Sequence, residues 1–273
     1  MKNKRIALIF ALAVCTFGVS AQEIVPTTSH SDDFGTDVTL EVEKKIVSGM
    51  SVSLEANHRS QRDAERTDRW QVGGGFDMRL FRSEDKRVTA KAGLGFTYTW
   101  KQKLGEISEH FNVDGKMNGY NQTESYWRRR YRTSVSVGVD FAPTKRWEFS
   151  LKETFQYNHY LKGDSVDRVK YRYNDDDDLY SYQDPKAVEA KDKMMLRTKF
   201  TVEYNIKGYP INPFASVEYC AGQNHVERWK YTAGVDYKIT RDTKLSVFYR
   251  YQRETDDDDP DGHFVGWALK FNF

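Results

Sequence analysis

The stretch that most constrains this chain is its last one, His263 to Phe273, H-F-V-G-W-A-L-K-F-N-F. Val265, Trp267, Leu269, Phe271 and Phe273 share one parity, with Gly266, Ala268, Lys270 and Asn272 between them. That is the period-two pattern of a strand with one apolar face. In a soluble sheet such a strand leaves an exposed aromatic edge that invites aggregation. A closed barrel in a membrane removes the edge and turns the apolar face to lipid.

The same alternation recurs upstream. Val38 to Val42, Met50 to Ala56, Trp70 to Leu80, Val88 to Trp100, Trp127 to Phe141, Trp147 to His159, Met194 to Tyr204, Ala215 to Ala221, Trp229 to Ile239 and Leu245 to Tyr251 each carry an apolar face, with Glu153 an exception inside its segment. With the closing stretch, eleven segments alternate. Strands of this kind, about 9–14 residues long, cross a bilayer at a tilt. Short connections follow Glu43, Leu80, Phe141, Asn205 and Ile239; longer polar ones follow Ser60, Trp100, Leu161, Gly222 and Glu254. Lys101 to Glu124 and Lys162 to Lys191 read as long irregular connections. Short turns at one end and long loops at the other, with aromatics at strand ends, describe a membrane barrel. Bacterial single-chain barrels are even-numbered, so residues 22–33 are expected to cross as a poor twelfth strand or through the lumen. The expectation is an all-β, closed antiparallel up-and-down transmembrane barrel of about twelve strands, with ten as the alternative.

The N-terminus reads as an export signal. Lys2, Lys4 and Arg5 precede an apolar run from Ile6 to Val19, and Val19-Ser20-Ala21 fits cleavage before Gln22. The run is shorter than the ~20 residues of a spanning helix, and bulky Val14 argues against lipid attachment at Cys15. The expected division is a signal over 1–21, an N-terminal segment over 22–35 and a barrel domain over 36–273. The leader holds three of the 42 basic residues and none of the 40 acidic ones, so the mature chain has one more acid than base. That balance offers no basic field for nucleic acid. Cys220 is the only cysteine left after cleavage, which excludes an internal disulfide and a cysteine metal cluster. No cofactor is expected. Mean hydropathy is −0.77, which excludes helical spans but not a barrel whose strands are half polar. Aromatics at 14% exclude a disordered chain.

D-D-F-G-T-D-V-T-L-E-V-E-K-K-I from Asp32 to Ile46, S-V-S-L-E-A-N-H-R from Ser51 to Arg59, D-R-W from Asp68 to Trp70, N-P-F-A-S-V-E-Y from Asn212 to Tyr219 and Y-R-Y-Q from Tyr249 to Gln252 carry a resemblance. Together they resemble an uncharacterised family of small outer-membrane β-barrels of Bacteroides-type, Gram-negative bacteria, filed as a domain of unknown function. The resemblance implies an outer-membrane location, with lipid and lipopolysaccharide as surroundings, and brings no activity with it. The terminal strand also resembles the sorting signal that outer-membrane barrels present to the barrel-assembly machinery, with Phe271 and Phe273 as its carriers.

Three constellations bear on function. Arg128, Arg130 and Arg132 stand at strand spacing on the inward parity, where a ladder of cations favours anions. Glu55, Asp77, Asp140, Glu203, Glu218 and Asp236 share that parity, so the competing expectation is a lumen filled by Arg–carboxylate pairs. Asp175, Asp176, Asp177, Asp178 and Asp256, Asp257, Asp258, Asp259 fall in long connections. They are weak candidates for divalent cations, and their spacing is not that of an EF-hand. His58 and Ser60 share the outward parity and resemble the His-x-Ser pair of outer-membrane phospholipase A. No third group that would orient the base is visible, so no enzyme is expected. A small passive channel or structural barrel with a mostly filled lumen comes first, and a barrel that binds a surface ligand through its loops comes second. A lipid-acting hydrolase is the remote third.

Overall fold

A computed structural model of the chain describes residues 33–174, 178–223, 225–255 and 261–273. The expected signal and nearly all of the N-terminal segment lie outside the described residues. Fifteen strands follow one another: β1 (Asp33–Val47), β2 (Met50–Gln61), β3 (Arg66–Arg82), β4 (Val88–Lys103), β5 (Glu106–Phe111), β6 (Met117–Thr123), β7 (Tyr126–Phe141), β8 (Trp147–Tyr160), β9 (Arg168–Tyr173), β10 (Leu179–Gln183), β11 (Lys191–Tyr204), β12 (Ile211–Ala221), β13 (Val226–Lys238), β14 (Thr243–Glu254) and β15 (Gly262–Asn272). Eleven of them close a barrel in the order β1-β2-β3-β4-β7-β8-β11-β12-β13-β14-β15.

These eleven are the eleven alternating segments of the sequence, and the expected count of about twelve is met at eleven. An odd number leaves the first and last strands running the same way. The barrel therefore closes through a parallel seam, with β1 and β15 in register from Asp33↔Gly262 to Glu43↔Asn272. Every other neighbouring pair of barrel strands is antiparallel. The seam continues to the end of the chain: Phe273 donates its N–H to the Glu43 carbonyl at 2.9 Å, and Lys45 donates to the Phe273 carbonyl at 3.0 Å. No twelfth strand stands between β1 and β15, because the two pair directly.

The polarity of the barrel is inverted. Along β7, Trp127, Tyr131, Val135, Val137, Val139 and Phe141 are exposed on the outside, while Arg128, Arg130, Arg132, Ser134 and Ser136 turn inward. Among the described residues only Val166, Val188, Cys220 and Phe264 are buried apolar side chains, against sixteen buried polar or charged ones. Monomeric soluble proteins rarely expose so continuous an apolar surface; a bilayer covers it. Aromatic clusters mark both rims of the belt. Tyr98 meets Trp100 and Tyr131, and Trp229 meets Tyr219, toward the end of the long connections; Trp147 meets Tyr204 at the other end. These two ends are called the loop end and the turn end.

Among the described residues, much of the two longest connections is strand, contrary to the irregular stretches expected. The strands β5, β6, β9 and β10 form a separate four-stranded sheet at the loop end, in the order β10-β9-β6-β5. The link is between two different connections: Gly119 to Thr123 of β6 pair with Arg168 to Arg172 of β9. Lys170 and Arg168 both bond the Asp184 carboxylate and hold it below the usual carboxylate range, against partial desolvation. At the turn end, the Ser83 hydroxyl and the Arg87 N–H do the same for Asp85.

Candidate functional site

Inward parity brings the charged side chains into one lumen, and its two halves differ. The loop-end half is packed around two carboxylates. Asp37 of β1 accepts from Arg59 Nη2 of β2 at 3.0 Å, Arg250 Nη1 of β14 at 2.7 Å and Asn57 Nδ2 at 2.6 Å. Arg250 reaches across β15 to Asp37, and the Phe248 ring takes the space over Gly266, where an added Cβ would lie 2.4 Å from it. The Arg59 guanidinium lies 4.2 Å from the Phe264 ring centre, and that of Arg250 4.9 Å from the Phe248 ring centre. Glu218 of β12 accepts from Arg197 of β11 and from Lys230 Nζ of β13 at 2.8 Å. Solvent hardly enters: Arg59 is 3% exposed, Asp37 3%, Glu218 6%, and Asn158 and Thr99 0%. Buried charges persist only when paired and hydrogen-bonded, and both carboxylates here meet that requirement.

Arg128, Arg130 and Arg132 line the lumen on β7 without bonding a carboxylate. Arg128 donates to the Glu189 carbonyl at 3.1 Å, Arg130 to the Tyr160 hydroxyl at 3.1 Å and Arg132 to Asn158 at 3.3 Å. Arg128 and Arg130 also stack over the Tyr160 ring. The pairing expected of these three is made instead by Arg59, Arg197, Lys230 and Arg250. Of the remaining inward acids, Asp140 pairs with Lys91 at 2.7 Å, Asp236 with Lys244 at 2.8 Å, and Glu203 accepts from Asn212 at 2.6 Å. Asp77 lies against Gly93, and Glu55 is exposed to the lumen's solvent.

The turn-end half is open. A cavity of about 1040 Å³ is lined by the β1–β2, β3–β4 and β7–β8 turns and by inward residues that include Asp77, Lys91, Asp140, Glu148, Lys152 and Lys199. Nothing in the expectations pointed to this cavity or to the lumenal rings of Phe248 and Phe264. Parity alone puts both rings inward, beside Arg250 and Gly266; the contacts they make join strands distant in sequence.

His58 and Ser60 do not form a pair. The Ser60 hydroxyl bonds the Thr36 N–H and the Thr36 hydroxyl, each at 2.8 Å, and is buried. His58 Nε2 lies 3.3 Å from the Thr67 hydroxyl, with its ring against Trp70. Ser60 keeps the parity of His58 and stands opposite Thr36 by continuation of the β1–β2 register, while the irregularity at this point leaves Asp68 of β3 outside the pairing. Phe271 faces outward on β15 beside Val42, and Phe273 is 64% exposed. Asp178 closes the β9–β10 turn, donating its N–H to the Asn174 side chain at 2.7 Å. Asp175, Asp176, Asp177 and Asp256 to Asp259 lie outside the described residues.

A family profile described as "Protein of unknown function (DUF2490)" matches residues 35–263. Among solved structures, the chain is similar to the NanC porin at 12% identity and a TM-score of 0.44, over 84% of this chain and 93% of that one. It is also similar to the β domain of the Bordetella autotransporter BrkA at 14% identity and a TM-score of 0.43, over 82% of this chain and 83% of that one. No curated protein matches it significantly.

Proposed function

The chain belongs to this family of unknown function, and we propose that it is an outer-membrane barrel closed to bulk flow by its own side chains. In this reading the leader over 1–21 exports it. The terminal strand with Phe271 and Phe273 presents it to the barrel-assembly machinery, and the apolar belt sits among lipid and lipopolysaccharide. The turn end faces the periplasm and the loop-end sheet faces outward. The observation that carries the reading is the charge-paired layer of Arg59, Asp37, Arg250, Arg197 and Glu218 in the loop-end half of the lumen, in which Asp37, Arg59 and Glu218 are buried and Arg197 and Arg250 are only partly exposed. Such a layer supports a structural barrel, or at most a narrow passive path that leans to anions through Arg128, Arg130 and Arg132. No catalytic step is part of it, because the Ser60 hydroxyl is committed to Thr36.

Planar-bilayer recording tests the closure. Wild-type barrel should be silent at moderate voltage, and the variant Arg59→Ala/Arg250→Ala should conduct. Steady wild-type conductance would show that the layer does not close the lumen. A second reading, a barrel that binds a surface ligand, is favoured by one observation. The loop-end sheet is ordered and exposes Phe111, Tyr173, Leu179, Tyr180 and Tyr182. Replacing residues 106–123 with a short Gly-Ser linker should abolish binding to cells or surface glycans without loss of folded barrel if that reading holds. Divalent cations at the acidic connections belong to the same reading and would show as calcium-dependent binding.

A further inference from the structure

The turn-end cavity has a feature that closure of the lumen does not require. In register across five neighbouring strands stand Arg79, Lys91, Gly138, Lys152 and Lys199. Lys91 is neutralised by Asp140 at 2.7 Å, and the Arg79 guanidinium donates to the Ser48 hydroxyl at 3.2 Å. Lys152 and Lys199 are directly opposite each other, inward-facing and exposed to the lumen. Among the described residues neither makes a hydrogen bond or an ion pair. The next residue in the row, Glu218, is taken up by Arg197 and Lys230. Like charges directly opposite on neighbouring strands are destabilising. In the loop-end half, by contrast, each buried cation of the closing layer has an acid. Gly138 leaves the space between Lys91 and Lys152 free of a side chain.

We propose that this row is a binding site for a small, multivalent oxyanion, phosphate- or carboxylate-bearing, that enters from the turn end. Two opposed ammonium groups call for an acceptor with several oxygens, which bridges them and removes their repulsion. The cavity, about 1040 Å³, matches the roughly 300–1,000 Å³ of small-molecule sites, so the ligand is a small molecule rather than a polymer. Near the mouth, Glu148 and Glu203 are opposed in the same way, and Glu148 lines the cavity. That acidic step disfavours weak, singly charged anions and leaves the site to those that engage both lysines. The bland alternative is a pair of solvated lysines that wet the lumen.

Isothermal titration of the full barrel in non-ionic detergent with pyrophosphate, and separately with citrate, tests the site. Wild type should bind at least one of the two saturably at one site per chain. Lys152→Gln/Lys199→Gln should weaken that binding tenfold or more, and Glu148→Gln should tighten it severalfold. Lys207→Gln, in the β11–β12 turn, should leave it unchanged. The double variant removes a repulsion, so it should keep its heat-modifiable gel mobility; Lys199→Gln alone serves if it does not. No saturable heat with either probe in wild type, or equal affinity in the lysine variant, overturns the proposal. Binding is read without a membrane, so neither silence nor conductance in a bilayer bears on it.

Discussion

Glu153 is the one acidic or basic side chain, among the described residues, that stands on the apolar outer face of the barrel between its aromatic rims. Its carboxylate accepts from the Thr198 hydroxyl at 2.9 Å, which leaves it only partly compensated. An acid on a lipid face costs less than a base there, but it still costs. Glu153→Leu should therefore stabilise the folded barrel by about 1 kcal/mol, read as a shift in its urea-unfolding midpoint in lipid vesicles. A loss of stability would mean that the carboxylate faces a partner rather than lipid. Depth and face can be separated on β7. Val135→Arg places a charge on the outer face beside Phe155 and Leu94 and should cost roughly 2–4 kcal/mol. Ser136→Arg places the same charge in the turn-end cavity one position away and should cost far less. Val137→Arg is the wrong probe, because Val137 is registered with Glu153 and the new cation would find that carboxylate. If Ser136→Arg proved the more damaging change in vesicles, the inward set would be inverted.

At the level of elements, all eleven barrel strands were legible as alternation, and parity put Arg128, Arg130, Arg132, Glu218 and Asp236 inward. That the barrel closes was legible; the parallel seam by which it closes was not. The even-number expectation favoured a twelfth strand, whereas β1 and β15 simply pair in parallel. The loop-end sheet was hidden for a physical reason. Its strands are five to seven residues long, show no consistent alternation, and β6 finds β9 only across the whole of β7 and β8. The basic row was invisible because its members come one from each strand, and only register aligns them. The seam makes its own prediction. Phe273 contributes backbone hydrogen bonds to β1 while its ring is 64% exposed. Phe273→Asp keeps the backbone bonds but removes the terminal aromatic, and it should block assembly in cells while the purified protein still refolds in detergent. Normal levels of folded barrel in cells would show that the terminal ring is not a signal.

For the whole molecule, one inversion organises everything else: paired charges inside, an apolar belt outside, and aromatic rims at both ends. It explains how a chain with mean hydropathy −0.77 can span a bilayer, since the polar half of every strand is spent on the lumen. It also explains the uneven lumen, packed where Asp37 and Glu218 gather cations and open where Lys152 and Lys199 have none. The inversion is tested most directly by spin-labelling β7 one residue at a time from Trp127 to Phe141, in a Cys220→Ser background, with the barrel reconstituted in lipid vesicles. Collision with oxygen, which concentrates in the bilayer, should rise and fall with a period of two and peak at Tyr131, Val135, Val137 and Val139. Collision with a water-soluble nickel complex should peak at Ser136 and Gly138, which line the turn-end cavity. Oxygen maxima at the even positions, or no alternation at all, would contradict the account.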